Sequence, residues 1–344
     1  MKILVTGGTG YIGSHTVVEL QQAGFEVIIA DNLINSEASV VDAIGKITGI
    51  IPVFEKVDLS DSGQADSVFQ KHTDIKAVIH FAALKAVGDS VERPLEYYRN
   101  NIFSLINLLS SMSRHGVKHI VFSSSCTVYG QPDTLPVKES TARKDAESPY
   151  GNTKKIAEDI LEDEVRAGSL RCIALRYFNP IGAHPTAMIG ELPLGVPDNL
   201  VPYITQTAIG IREKLMIFGN DYETKDGTPV RDYIHVVDLA QAHVVALKRM
   251  MEDKQISPWE IFNLGTGNGF SVLEVINSFE KVSDMKLNYA FTDRRQGDIE
   301  KVWADTEYAN LELGWKAERD LDEMMRSAWD WELALNDRNK KINI

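Results

Sequence analysis

The chain has 344 residues, a formal net charge of -13 and 44% hydrophobic residues, so it can bury a large core and favours two lobes. The acidic balance argues against a nucleic-acid partner, and any anionic ligand must be held by locally placed arginines or backbone amides. Its two cysteines, Cys126 and Cys172, offer neither a disulfide framework nor a metal-ligand spacing, and no apolar run reaches signal-peptide or membrane-spanning length. These features predict a metal-free cytoplasmic protein with no membrane association.

In chain order, Ile3 to Val5 reads as a short apolar strand. Gly7-Gly8-Thr9-Gly10-Tyr11-Ile12-Gly13 follows it at once and leads into a helical pattern through Val17, Val18 and Leu20. Gly7, Gly10 and Gly13 suit a tight turn, the close approach of a pyrophosphate and close helix packing, with the helix N-terminus facing the anion. A glycine triplet alone is weak evidence, but here the strand and helix that the motif requires flank it. The next strand, Phe25 to Ala30, ends at Asp31, spaced for a carboxylate that accepts both ribose hydroxyls of NAD and repels a 2′-phosphate. An aspartate opening an Asp-Asn loop is also ordinary turn chemistry. Val53 to Val57 reads as a third strand ending at Asp58, and Ala77 to Phe81 as a fourth, followed by the small residues Ala82 and Ala83 and by Lys85.

Pro94 opens a long helical pattern that carries Asn100 and Asn101 in its first turns and suits either the core or a dimer interface. His119 to Phe122 is a fifth strand, with Ser123-Ser124-Ser125 as its polar exit, where ligands bind in such sheets. Ser148 and Pro149 cap a helix that sets Tyr150 and Lys154 one turn apart on one face. An adjacent cation favours phenolate. Bringing a tyrosine from about 10 to about 7 takes roughly 4 kcal/mol, which a lysine could share with a positively charged nicotinamide. That spacing is common by itself. With the glycine loop, Asp31 and Ser125 it becomes a Ser/Tyr/Lys constellation for hydride chemistry.

Leu170 to Arg176 is a sixth strand, after which proline and glycine mark a boundary. The predicted class is α/β: a Rossmann-type doubly wound parallel sheet over residues 1–178, with a returning segment near 236–266, and a smaller mixed α/β substrate domain over 179–344. Arg231 and Arg295 are the arginines best placed in sequence to meet a diphosphate, although solvated surface arginine is the usual alternative.

Over nearly its whole length the chain resembles the UDP-glucose 4-epimerases, a family of the extended short-chain dehydrogenase/reductase superfamily. The motifs are Thr6 to Gly13, Asp31-Asn32-Leu33, His80 to Gly88, Pro94 to Asn101, Phe122 to Gly130, Tyr150 to Lys154, Arg176 to His184, Arg231 to His235 and Arg295 to Asp298. The resemblance implies a homodimer with tightly held NAD. Its cofactor contacts fall on Gly7, Gly10, Tyr11, Ile12, Gly13, Asp31, Asn32, Asn35, Asp58, Leu59, Phe81, Ala82, Lys85, Asn100, Tyr150, Lys154, Tyr177 and Phe178. A UDP-sugar substrate would meet Ser125, Asn179, Asn199, Leu200, Phe218, Arg231, Tyr233, Arg295, Asp298 and Val302. Catalysis falls to Tyr150, Lys154 and Ser125.

A redox cofactor suits such an epimerase because the C4 hydrogen beside a plain hydroxyl is not acidic enough to remove, whereas oxidation to a 4-keto sugar and return of hydride to the other face inverts the centre. Related dehydratases and decarboxylases carry an acidic residue just after the serine or threonine. This chain has Cys126 and Thr127 there. Epimerases of UDP-glucuronate, with Arg294 or Lys85 holding the sugar carboxylate, are a second alternative, and a non-catalytic NAD-sensing scaffold is a third. The scaffold would have no need of Ser125, Tyr150 and Lys154 together. Against the family, Val302 falls where members confined to UDP-glucose and UDP-galactose carry tyrosine and members that also accept N-acetylated sugars carry a small residue. Valine there extends the expected substrates to UDP-GlcNAc and UDP-GalNAc.

Overall fold

The computed structural model describes residues 1–168, 170–295 and 299–342. The first half alternates strand and helix: β1 (Lys2–Thr6), α1 (Tyr11–Gln22), β2 (Glu26–Asp31), α2 (Ser39–Thr48), β3 (Val53–Lys56), α3 (Ser62–Lys71) and β4 (Ile75–His80). There follow α4 (Val87–Glu92), α5 (Pro94–Arg114), β5 (His119–Ser125), a 3-10 turn over Cys126–Tyr129, α6 (Pro149–Arg166) and β6 (Arg171–Tyr177). The second half holds β7 (Asn179–Ile181), α7 (Leu200–Ala208), β8 (Leu215–Phe218), β9 (Val230–His235), α8 (Val236–Met251) and β10 (Trp259–Leu264). It closes with β11 (Gly269–Ser271), α9 (Val272–Ser283), β12 (Tyr289–Thr292), β13 (Lys301–Val302), a π turn over Ala309–Leu313 and α10 (Leu321–Ile342).

Seven parallel strands form the main sheet in the order β10-β6-β5-β4-β1-β2-β3. Because successive strand residues point to opposite faces, Ile3 and Val5 of β1 join the core under α1, α2 and α8, while Leu4 joins the core under α3, α5 and α6. Such two-sided burial explains the near-continuous apolar runs of these strands. The winding reverses between β1 and β4, so the loops leaving their carboxyl ends, one carrying the glycines and the other Phe81 to Lys85, flank a crevice at the switch point.

Within residues 236–266, β10 pairs with β6 at the edge of this sheet, and α8 packs against the same core as α1. The remaining strands make a small sheet, in which β9 pairs with β7, β11 and β13, and a parallel β8–β12 pair. A separate core that includes Val201, Ile204, Ile217, Phe279 and Met325 holds them to α7, α9 and α10.

Several expectations shift. The serine run is not a strand exit: β5 continues through Ser125, with Ser123, Ser124 and Ser125 registered against Leu175, Arg176 and Tyr177. Partners supplied by β6 and α6 satisfy the buried hydroxyls, so polarity here did not end the strand. Val57 falls outside β3, and α4 is a helix that the sequence reading does not contain.

Candidate active site

The helix that carries Tyr150 and Lys154 starts where its capping residues place it. The Ser148 side chain accepts from Gly151 N at 3.1 Å, with Pro149 at the first helical position. Tyr150 and Lys154 then face the carboxyl end of β5 and are both almost fully buried. The Tyr150 phenol lies close enough to Ser125, itself 6% exposed, for the serine hydroxyl to favour its ionised form, and Ser125 Oγ accepts from Thr127 N at 3.3 Å. Ser125, Tyr150 and Lys154 thus lie together at the carboxyl end of β5.

In the protein alone, burial dominates the electrostatics of this pair. Lys154 Nζ donates to Ser123 O at 2.7 Å and lies 5.0 Å from the centre of the Phe122 ring. Burial lowers its pKa to about 8, against the opposing effect of the Glu158 carboxylate. Burial also pushes the Tyr150 phenol far above its usual value, with Tyr177 adding to the rise and the Ser125 hydrogen bond opposing it. Lysine one turn away therefore does not by itself make this tyrosine a base: the cost of desolvating a phenolate wins.

On the other wall, the glycine loop is shaped for close approach. A side chain on Gly7, whose φ is +69°, would stand 2.7 Å from Ala82 N, and one on Gly13 would stand 2.2 Å from Gly7 O. Gly10 begins α1 with no side-chain cap, leaving the first amides of the helix directed at the crevice, which fits an anion such as a pyrophosphate. Asp31 is buried at the end of β2 and accepts from Thr9 N at 3.2 Å and Leu33 N at 2.9 Å, a position that fits an adenosine ribose. Asn32 accepts from Ile34 N, Asn35 is exposed in the same loop, and Asp58 caps its own turn by accepting from Ser60 N. Leu59 is buried, its carbonyl accepting from Asn107. Ile12 packs on the core, while the Tyr11 hydroxyl donates to Gly182 O at 2.6 Å, tying the loop to the chain beyond β7.

The Phe81 ring lies 4.7 Å from the His243 ring at an interplanar angle of 47°, and Asn100 donates to Asn101. Asn101, buried in the first turns of α5, has a structural task here. It is the brace of this wall, accepting from Leu84 N and donating to Leu84 O and Thr153 Oγ1, so that the Ala82–Lys85 loop is tied to α6. Lys85 pairs with Glu191 at 3.0 Å, and the same carboxylate oxygen accepts from Asn199. Glu191 thus joins a residue expected at the cofactor to one expected at the substrate. Nothing local in the sequence marks it.

Tyr177 OH is 2.6 Å from Ser123 Oγ, and Phe178 is buried with Val128, Tyr129, Val137, Val302 and Ala304, next to Cys126 and Ile299. Asn179 lies opposite Tyr233 in the β7–β9 ladder, and Val302 opposite Arg231 in the β9–β13 ladder. Leu200 opens α7, and Tyr233 is buried in the small core. Arg231 is close enough to lower the Cys126 thiol against a larger upward push from burial, which places it near the substrate end of β5. The exposed Arg295 stacks on Phe218 at 4.1 Å, whereas Arg294 is engaged with Asp221 and Tyr222. Asp298 lies outside the described residues. Among the described residues no group of three or more His, Cys, Asp or Glu could hold a metal, and no helix is long and apolar enough to cross a membrane.

A parallel sheet with a glycine loop at its switch point and a buried Ser/Tyr/Lys group at the carboxyl end of β5 defines an extended short-chain dehydrogenase/reductase. A family model described as GDP-mannose 4,6 dehydratase matches residues 4–328. The UDP-glucose 4-epimerase of Bacillus subtilis (strain 168) is 52% identical over 333 residues, covering 96% of this chain and 97% of that protein. Two solved structures are similar throughout. The UDP-glucose-4-epimerase of Stenotrophomonas maltophila, with bound NAD and formylated UDP-arabinopyranose, has 49% identity and a TM-score of 0.94, covering 98% of this chain and 99% of that one. The UDP-glucose 4-epimerase of Bifidobacterium longum, in complex with NAD+ and UDP, has 44% identity and a TM-score of 0.93, with the same coverage. Within the superfamily that the dehydratase-named model describes, the chain belongs to the UDP-glucose 4-epimerase family.

Proposed function

We propose that the protein is an NAD-dependent isomerase that inverts C4 of UDP-glucose and UDP-galactose. The observation that carries this reading is the buried Ser125–Tyr150 pair at the end of β5, beside a glycine loop too tight to accept a side chain at Gly7 or Gly13. The loop, the N-terminus of α1, Asp31 and Lys85 would hold the dinucleotide. Asn179, Asn199, Phe218, Arg231 and Arg295 would hold the UDP-sugar. Bound NAD supplies a reversible hydride acceptor whose positive ring adds to the charge of Lys154.

The chain's own residues move the proton. Tyr150 takes it from the C4 hydroxyl, with Ser125 fixing that oxygen by a second hydrogen bond. After the 4-keto sugar has turned in the site, Tyr150 returns the proton to O4. The high pKa of Tyr150 in its buried setting makes it the resting proton donor, and the added positive charge is what lets it accept. Cys126 and Thr127 offer no carboxyl acid, which disfavours elimination. The test is the absorbance and mass of the cofactor released from purified protein, followed by incubation with UDP-glucose and no added NAD. UDP-galactose should form, and full activity of cofactor-free protein would refute the reading.

Acceptance of UDP-GlcNAc and UDP-GalNAc is favoured by Val302, which is buried beside Phe178 and Cys126, where a valine leaves room that a phenol ring would fill. A homodimer is favoured by the solvent-facing Val91, Leu95, Phe103 and Ile106 on α4 and α5, which leave apolar side chains uncovered on a monomer. Light scattering should give the mass of two chains, and Phe103→Asp should give one. The two free thiols fit a cytoplasmic setting.

A further inference from the structure

Among the described residues two carboxylates are completely buried, Asp232 and Glu158, and the second has no part in the chemistry described so far. Glu158 lies one turn beyond Lys154 on α6 and is 0% exposed. Arg176 of β6 grips it with two hydrogen bonds, Nε to Oε1 at 2.8 Å and the terminal nitrogen to Oε2 at 2.6 Å. Ser124 Oγ of β5 donates to Oε1 at 2.6 Å, and Arg143 reaches Oε2 from the preceding loop at 3.3 Å. Arg176 is held in turn by Tyr129 OH, which donates to Asn263 of β10. A buried ion pair is poor evidence for stability, since an apolar substitute of equal size is often as good. What this one does geometrically is specific: it bolts α6 to β5 between Ser123, whose carbonyl receives Lys154, and Ser125, which meets Tyr150.

We infer, on the epimerase reading above, that Glu158 is a positioning residue of the reaction, setting α6 against β5 so that Ser125, Tyr150 and Lys154 converge. The surroundings of Lys154 single this carboxylate out. From β4 it faces His80, which burial and the lysine itself keep neutral. From β5 it faces the Phe122 ring and the Ser123 carbonyl. Tyr177 from β6 and Tyr97 from α5 surround the adjoining Tyr150 and are neutral phenols raised by burial. Arg176 and Arg143 stand behind Glu158, and Glu158 is the anion that opposes the burial-driven fall of the Lys154 pKa.

The test compares wild type with Glu158→Gln, Ser124→Ala and the double variant Glu158→Gln/Arg176→Gln, the last removing both charges so that no cation is left buried alone. Glu158→Gln should lower kcat about 10- to 100-fold with KM for UDP-glucose nearly unchanged, as expected for misplaced reacting groups. Its alkaline limb of kcat should move down by about one pH unit or more, because the lysine loses its counter-charge. The rate at which an amine-acylating reagent labels Lys154, followed by mass spectrometry, should show its midpoint moving the same way. The double variant should shift both in that direction even if Glu158→Gln alone does not fold. Ser124→Ala keeps the charge and loses one bolt, so its kcat should fall while its limb stays in place. A folded, NAD-retaining Glu158 variant with the wild-type kcat and limb overturns the inference, as does an unchanged kcat in Ser124→Ala. Wild type without epimerase activity would instead remove the functional reading itself.

Discussion

Replacing Gly13 by alanine tests the dinucleotide cradle with one methyl group. The new Cβ would stand 2.2 Å from Gly7 O, 2.9 Å from Gly8 Cα and 3.0 Å from Gly7 C, where ordinary contact begins at 3.4 Å. All three neighbours are backbone, so no side chain can swing aside and the Gly7–Gly8 segment must retreat by about 1 Å. Overpacking of this kind costs roughly 1–3 kcal/mol. The retreat displaces the amides at the start of α1 that the pyrophosphate needs, so most of that cost should appear as lost NAD affinity, about 5- to 150-fold in Kd. Gly88→Ala is the control, since its Cβ would have nothing within 4 Å. NAD released per chain after purification, Kd on cofactor-stripped protein and Tm would be measured for both variants. Gly13→Ala with wild-type NAD content and Kd would show that the loop is not the cofactor's seat.

Tyr150→Phe should lose about 10²- to 10⁴-fold in kcat while keeping UDP-sugar affinity, since it removes the proton carrier and leaves the binding groups; an unchanged rate would move the base elsewhere. Arg231→Ala or Arg295→Ala should raise KM by about 30-fold, the worth of a charge-assisted contact of about 2 kcal/mol, and no change in either would place the diphosphate elsewhere. Val302→Tyr should abolish epimerisation of N-acetylated UDP-sugars while sparing UDP-glucose and UDP-galactose; equal loss on both pairs, or no N-acetyl activity in the wild type, would refute the gatekeeper role. Burial holds His15, His80 and His235 at about 3 and His243 at about 4, below the unfolded value near 6.5. The unfolded chain therefore binds protons that the folded one refuses, and each histidine removes about 1.4 kcal/mol of stability per unit as pH falls below 6.5. Tm should be level between about pH 7 and 8 and drop between pH 6.5 and 5, and a flat profile across that lower window would contradict the neutral burial of these rings.

The sequence alone determined what depends on near neighbours in the chain. The glycine loop between β1 and α1, the Ser148-Pro149 cap, the one-turn spacing of Tyr150 and Lys154 and the two-sided apolar strands are local patterns, because steric limits, hydrogen bonding within a turn and side-chain periodicity act over a few residues. The tertiary structure decided how far β5 extends, for Ser123 to Ser125 look like an exit until Tyr177 and Glu158 arrive from other elements to satisfy their hydroxyls. It also decided the behaviour of the catalytic pair. Helical spacing puts a cation near a phenol, but the direction of the Lys154 amine is set by Ser123 O and the phenol's acidity by burial. Glu158 and Glu191 carried no sequence signal and Asn101 only its place in a helical pattern, since the task of each is defined by partners that folding alone brings to it: Arg176 and Ser124, Lys85 and Asn199, Thr153 and Leu84. A buried polar group must find its hydrogen bonds wherever the packed chain supplies them, and that supply is a property of the fold rather than of any short stretch of residues.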